Sequence, residues 1–174
     1  VNEDVNVYLR IAQGYNAGVF NVRSPAASFN QPADEETLTS YELGMKSEFP
    51  DQAVRLNVAL HKTDTEDLQT ISFQGTGFAL DNAGTAETYG GEVDLLWLPT
   101  DNTTITVGYA YNHAEYSDFQ EGPCWTGTPW QTDQPDPYEN GDGTCDRSGG
   151  MVSGNPENVL SLSANQQFQI AEGY

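Results

Sequence analysis

The residues able to do chemistry are few and scattered. His61 and His113 are the only histidines, and neither has a Ser or Asp partner placed to build a proton relay. Both read as residues at the rim of a sheet. Glu42 and Glu92 could be imagined as the carboxylate pair of a glycosidase, but as carboxylates on a polar wall they need only Lys46 and Arg55 as ion-pair partners. No Walker loop, G-x-S-x-G or H-E-x-x-H occurs. Cys124 and Cys145 lack the C-x₂-C or Cys/His spacing of a zinc site. Between them lie Trp125, Trp130 and Tyr138, aromatic side chains whose place in a polar loop points to ligand contact. The acids Asp133, Asp136, Glu139 and Asp142 share that stretch, and a calcium-loop register starting at Asp136 puts Asn140 and Gly141 correctly. It fails at Tyr138 and at Arg147, where a bidentate Glu is required. Most of these acids read as a solvated face. No catalytic residue, metal site or cofactor is expected, and nothing supports an enzyme.

Composition narrows the classes further. The 174 residues have the size of one domain. Six Lys+Arg against 26 Asp+Glu give a net charge of −20, which argues against nucleic acid, whose phosphates need basic side chains. Mean hydropathy is −0.57, and no run of about 18 apolar residues exists to form a spanning helix. Yet 11% of residues are aromatic, too many for an acidic disordered tail. A membrane β-barrel stays open, because such a strand is apolar only at every second residue. The chain opens on Val1 inside a strand-like pattern, so it reads as an internal piece of a longer protein.

Period two dominates from end to end. Val5, Val7, Leu9 and Ile11 alternate with Asn6, Tyr8, Arg10 and Ala12. Tyr41, Leu43, Met45 and Phe49 oppose Glu42, Gly44, Lys46 and Glu48. The same holds for Val54 to Leu60, Val93 to Trp97, Ile105 to Tyr111 and Leu160 to Ile170. Six strands of about 11–15 residues and no helix are expected. Their connections alternate long and short: a polar stretch from Asn16 to Glu35, a tight Pro50-Asp51-Gln52, a Gly/Asn loop near 74–85, a turn at Pro99–Asn102, then a long loop near 120–155. Outer-membrane barrels show this rhythm, with short turns at one end and long loops at the other. Phe49, Trp97 and Phe168 precede the short turns, where an aromatic girdle belongs, and Tyr15, Phe73, Tyr89, Tyr116 and Phe119 would form the opposite rim. The second face carries Arg10, Glu42, Lys46, Arg55, Asn57, Glu92, Asp94 and Thr106. Burying those charges in a soluble core would cost several kcal/mol each unless paired, whereas a hydrated lumen removes the cost. Six strands cannot close, so the expectation is an all-β antiparallel meander forming an arc of a larger barrel.

Several stretches resemble TonB-dependent outer-membrane receptors. Glu36 to Phe49 is similar to that family's ET-x-x-SYE-x-G-x-K-S motif. Tyr8 to Asn21 resembles its GY-x-AG-x-x-N strand end, and Arg55 to Leu60 followed by Asp64 to Gln69 resembles its LN-x-A-L and D-x-x-D-L-Q strand. Gly90-Gly91-Glu92 matches its G-x-E, and Pro156-Glu157-Asn158 its PEN. His61-Lys62 departs from the pattern, standing where aromatics are usual.

The resemblance implies a 22-stranded barrel around a plug, with residues 1–174 forming part of the barrel domain and the plug, TonB box and closing strand lying elsewhere. It implies the outer membrane of a Gram-negative bacterium, contact with lipid and lipopolysaccharide, and TonB as energy-coupling partner. The small-molecule ligand would be a ferric siderophore, with a saccharide, cobalamin or aromatic compound, or a passive porin-like channel, as alternatives. Arg10, Glu42, Lys46, Arg55, Glu92 and Asp94 would be lumen-wall residues facing the plug. An oxidising outer surface makes a Cys124–Cys145 disulfide the expected state, stapling the loop that carries Trp125, Trp130 and Tyr138.

Overall fold

The computed structural model describes residues 4–21, 32–73, 78–120, 122–124, 144–152 and 154–168. Its strands are β1 (Val5–Asn16), β2 (Glu36–Phe49), β3 (Val54–Phe73), β4 (Phe78–Thr100), β5 (Thr103–Asp118), β6 (Gly122–Pro123), β7 (Thr144–Cys145) and β8 (Asn158–Gln166). Six of them form one antiparallel sheet in the order β1-β2-β3-β4-β5-β8, and β6 and β7 form a separate ribbon. Each main strand thus lies beside its sequence neighbour, as an up-and-down barrel wall requires. The only helical turn among the described residues is the 3₁₀ segment Pro50–Gln52, closed by left-handed Ala53, whose N–H donates to the Pro50 carbonyl at 3.0 Å.

Register decides which side chains share a face. Leu9 pairs with Leu43, Leu43 with Leu60, Leu60 with Gly91 and Gly91 with Tyr111. A second row runs Val7, Met45, Val58, Val93, Tyr109, Leu160, and a third Val5, Ser47, Leu56, Leu95, Val107, Leu162. One face is therefore a continuous apolar field. On the other face Arg10 pairs with Glu42 and Glu42 with His61, while Lys46, Asn57 and Asp94 form a row. All six expected wall residues have the parity of this charged face.

Among the described residues the apolar face has no covering partner. Leu9 and Leu162 are each 69% exposed and Leu43 is 50% exposed, while the buried apolar residues among those described are Ala33, Ala86, Ala114, Phe119 and Cys145. Total accessible surface is 12676 Å², against roughly 8,400 Å² for a compact monomer of this mass. No second layer seals Leu43, Leu56, Val93 or Val107 among the described residues.

The field is bounded on both sides. Trp97 marks one edge, and Tyr89 the other, nine residues counted inclusively, matching the about 9–11 that a tilted strand needs to cross a bilayer. At the Tyr89 edge the same row holds Tyr41, Lys62 and His113, and the next holds Asp64, Glu87 and Glu115. Those charges could not lie in hydrocarbon, so this row falls outside any membrane-spanning segment that the apolar field could form.

Three expectations change. β3 has 20 residues and β4 has 23, so much of the expected 74–85 loop is a hairpin projecting past the apolar field. Its Thr, Asp and Glu side chains lie on both faces, and without lipid on either side nothing imposes alternation. Tyr116 and Phe119 leave the aromatic rim: their ring centroids lie 5.0 Å apart and Phe119 is 6% exposed, packed inside a loop stem. β8 ends at Gln166, and the expected strand end at Ile170 lies outside the described residues.

Candidate functional site

The charged face is organised around Tyr8. Gly44 lies opposite it across β1 and β2, and the absent side chain lets the Tyr8 ring lie flat over the neighbouring strand. From there the phenol O–H donates to Glu42 Oε1 at 2.6 Å, while Arg10 Nη2 approaches Glu42 Oε2 at 3.5 Å. Lys46 Nζ sits 5.7 Å from the Tyr8 ring centroid, a cation–π contact.

This corrects the expected pairing. Glu42 is paired with Arg10 and accepts the phenol's hydrogen bond, with Lys46 elsewhere, and Arg55 pairs with Glu48 at 2.8 Å. Among the described residues no ion pair joins Glu92 or Asp94. With Tyr8, Glu42, Lys46 and Asn57 they line a shallow cavity of about 220 Å³. Three carboxylates and one ammonium give that hollow a net negative field, suited to a cationic group from whatever fills the space in front of it. Higher on the same face, His61 Nε2 and Asn112 Oδ1 are 3.2 Å apart, spanning the side-chain gap at Gly90.

At the rim, Lys62 Nζ bridges Glu87 at 2.6 Å and Asp64 at 3.3 Å. Carboxylates facing each other on adjacent strands repel, and the ammonium offsets that. His113 does the same for the next pair: Nδ1 lies 2.9 Å from Glu157 and Nε2 3.1 Å from Glu115, with the Tyr89 ring 5.0 Å away. Ionised carboxylates only accept, so satisfying both contacts needs the doubly protonated ring. These hydrogen bonds, that to Glu157 first, hold the imidazole above its ordinary range. Because the folded-state value is raised, the linked stability is present below about pH 6.5 and is lost as pH climbs through the raised value. Accordingly, amide protection at Asn112 and Val152, which bond Glu157 and Ala114, should fall several-fold above that range after correction for intrinsic exchange. His113→Gln should remove the pH dependence; an unchanged profile in the variant would refute it.

The β5–β8 connection has a built stem. Val152, Gly149 and Arg147 donate backbone N–H groups to the carbonyls of Ala114, Tyr116 and Phe119 at 2.7–2.9 Å, and Tyr116 N–H donates to Gly150. Asp146 accepts from the Ser148 N–H at 2.9 Å, and hydrogen bonding to Ser148 holds its carboxyl below the usual range. Above this stem Cys124 and Cys145 are joined, with Cα atoms 5.0 Å apart, and Cys145 is wholly buried. Trp125, Trp130, Tyr138 and the Asp136 calcium register lie outside the described residues. No cluster of His, Cys, Asp or Glu fit to hold a metal occurs among the described residues. Sequence reading named Tyr8, Lys62 and Glu157 only as members of strands or motifs and gave them no partners, because Glu42, Glu87 and His113 reach them from other strands.

Residues 1–173 match the family described as TonB dependent receptor-like, beta-barrel. The pesticin receptor of Yersinia enterocolitica is 36% identical over 97 residues, which is 56% of this chain and 14% of that protein. The probable TonB-dependent siderophore receptor PiuA of Acinetobacter baumannii is 29% identical over 102 residues, 59% of this chain and 13% of that one. The crystal structure of the ferric yersiniabactin uptake receptor FyuA from Yersinia pestis superposes with a TM-score of 0.71 at 25% identity, covering 99% of this chain and 22% of its own. The ferripyoverdine receptor of the outer membrane of Pseudomonas aeruginosa shares the fold, with a TM-score of 0.62 at 18% identity over 98% of this chain and 19% of its own. The aligned part thus spans about a seventh of the curated relatives' length. With nearly every residue covered by one family pattern, the chain belongs to the TonB-dependent receptor-like β-barrel family.

Proposed function

We propose that this chain is an arc of the wall of an outer-membrane receptor in a Gram-negative bacterium, which imports a ferric siderophore with energy passed through TonB. The observation that carries the reading is the sorting of one uncovered sheet into an apolar and a charged face. Leu9, Leu43, Leu60, Leu160 and Leu162 are all at least half exposed. Covering what remains exposed on five such side chains is worth roughly 5–9 kcal/mol, comparable with the whole stability of an ordinary domain. Hydrocarbon tails supply that cover, with lipopolysaccharide above them, and the charged face then looks onto a hydrated, plugged lumen.

In this reading Arg10, Glu42, Lys46, Arg55, Glu92 and Asp94 face the plug. The loop closed by Cys124 and Cys145 presents Trp125, Trp130 and Tyr138 to the ligand. Siderophores enter because relatives are named for them: PiuA is a probable siderophore receptor and FyuA takes up ferric yersiniabactin. The net charge of −20 favours a second reading, a neutral or cationic non-iron ligand such as cobalamin, a saccharide or an aromatic compound, over an anionic chelate. A deletion strain grown on a panel of iron chelates decides between them. Loss of uptake of one chelate is expected; unaltered iron uptake on all of them would remove the siderophore reading.

A further inference from the structure

The described ends of the β1–β2 connection, residues 17–21 and 32–35, do not stand free above the sheet. Val19 and Ala33 exchange backbone hydrogen bonds at 3.1 and 3.0 Å, closing its neck. The neck approaches closely at Gly18, where a Cβ would lie 2.7 Å from the Ala33 carbonyl oxygen. What holds this neck comes from the next hairpin. Gln69 of β3 and Asn82 of β4 are cross-strand partners, and both aim their amides at it. Gln69 Nε2 donates to the carbonyls of Ala17 at 3.1 Å and Asp34 at 2.9 Å. Its Oε1 accepts from Asn16 Nδ2 at 3.1 Å, and its backbone N–H donates to Glu36 at 2.8 Å. Asn82 Nδ2 donates to the carbonyls of Asp34 at 3.2 Å and Asp67 at 2.6 Å, and Oδ1 accepts the Asp34 N–H at 2.8 Å.

Both amides therefore use their two donors and their acceptor. Six of the seven bonds go to the β1–β2 side, counting three from Gln69's side chain, one from its backbone to Glu36 and two between Asn82 and Asp34, while the Asp67 bond braces Asn82 against β3. Asn16 and Glu36 are themselves paired and share the parity of Arg10 and Glu42. The anchors thus belong to the charged face, at the end away from the tight turns.

We propose that Gln69 and Asn82 are positioning residues that seat the neck of the β1–β2 connection, residues 17–21 and 32–35, as a strap across the charged face at the barrel mouth. The proposal rests on reading that face as the lumen. A strap ordered beforehand keeps its ordering entropy out of ligand capture. Amides suit the task because they do not titrate, so the six side-chain bonds of Gln69 and Asn82, all to amide or backbone groups, are independent of external pH, unlike the His113 contacts.

The test uses the full-length receptor in micelles, with Gln69→Met and Asn82→Leu singly and together. Hydrogen exchange at the described amides of 17–20 and 33–35 should quicken at least tenfold, while β1 at Val7–Ile11 and β2 at Leu43–Lys46 stay unchanged. Asn82→Asp, which retains the acceptor for Asp34 N–H, should fall between parent and Asn82→Leu. In a Thr88→Cys background, lying in the charged-face row Ser40, Thr63, Thr88, labelling by an impermeant maleimide from outside should rise several-fold when the seat is removed. Unchanged exchange overturns the clamp, and equal acceleration throughout the sheet makes it general stability and also overturns it. Faster strap exchange with unchanged labelling overturns the placement across the mouth. Neither readout involves iron uptake, so failure of the uptake reading registers separately.

Discussion

Gly90→Ala is expected to destabilise the barrel by about 3 kcal/mol, from an overpacking cost of about 1–3 kcal/mol plus a lost hydrogen bond worth about 1 kcal/mol. Gly90 lies in β4 between His61 of β3 and Asn112 of β5. A Cβ there would overlap the Tyr111 carbonyl oxygen, and it would lie 3.0 Å from the Tyr111 carbonyl carbon and 3.1 Å from Asn112 Cα. The obstacle is backbone, so no side chain can swing clear. Either β5 retreats or β4 bends, and the contact between His61 and Asn112 goes with it. Gly14→Ala is the matched control: its nearest neighbours are the Leu38 side chain at 3.5 Å, ordinary contact, and a change within about 0.5 kcal/mol is expected. Denaturant unfolding of the full-length receptor in lipid vesicles reads both. A Gly90→Ala midpoint indistinguishable from that of Gly14→Ala would show that the two strands are not so closely apposed.

Opening the Cys124–Cys145 bond is the second large effect, and it should be local. The cysteines are 21 residues apart in sequence, and closing such a loop is worth about 3 kcal/mol on the chain-entropy account. That corresponds to roughly a hundredfold in a local opening equilibrium. Cys145 and Phe119 are the buried centre of the stem, so reduction, or Cys124→Ser with Cys145→Ser, should speed amide exchange over 116–124 and 144–150 by about that factor. The β1–β4 strands are held by their own ladders and should be unaffected. If exchange in the stem does not respond to reduction, the backbone bonds from Arg147, Gly149 and Val152 hold it alone.

The strands themselves were legible because a membrane-facing sheet writes its environment into every second residue. Val5, Val7, Leu9 and Ile11 could be assigned to one face without knowing any neighbour. Where lipid ends, that signal ends as well. Upper β4 carries Asp81, Asn82, Ala83, Gly84 and Thr85 in succession and therefore reads as part of the loop near 74–85, although backbone pairing continues to Phe73 and Phe78. Pairing needs no alternation, only a partner strand. The aromatic rim was half legible for a similar reason. Tyr89 lies on the apolar face, but Phe119 follows the end of β5, where strand parity no longer says which way a ring turns.

The wall residues show the division most clearly. Residue type and parity alone put Arg10, Glu42, Lys46, Arg55, Glu92 and Asp94 on one polar face, since a charge alternating with Leu and Val has only one tolerable side. Their partners were beyond reach. That Glu42 takes Arg10 and Tyr8, that Lys46 lies over the Tyr8 ring, and that Gln69 and Asn82 grip a connection more than 30 residues away in sequence depend on register. Register is a relation between strands, set where their turns and bulges bring them together. Composition and period thus determined what each strand is and which side faces grease; only the assembled sheet decided who meets whom, because hydrogen-bond geometry acts over about 3 Å and the chain order does not contain that distance.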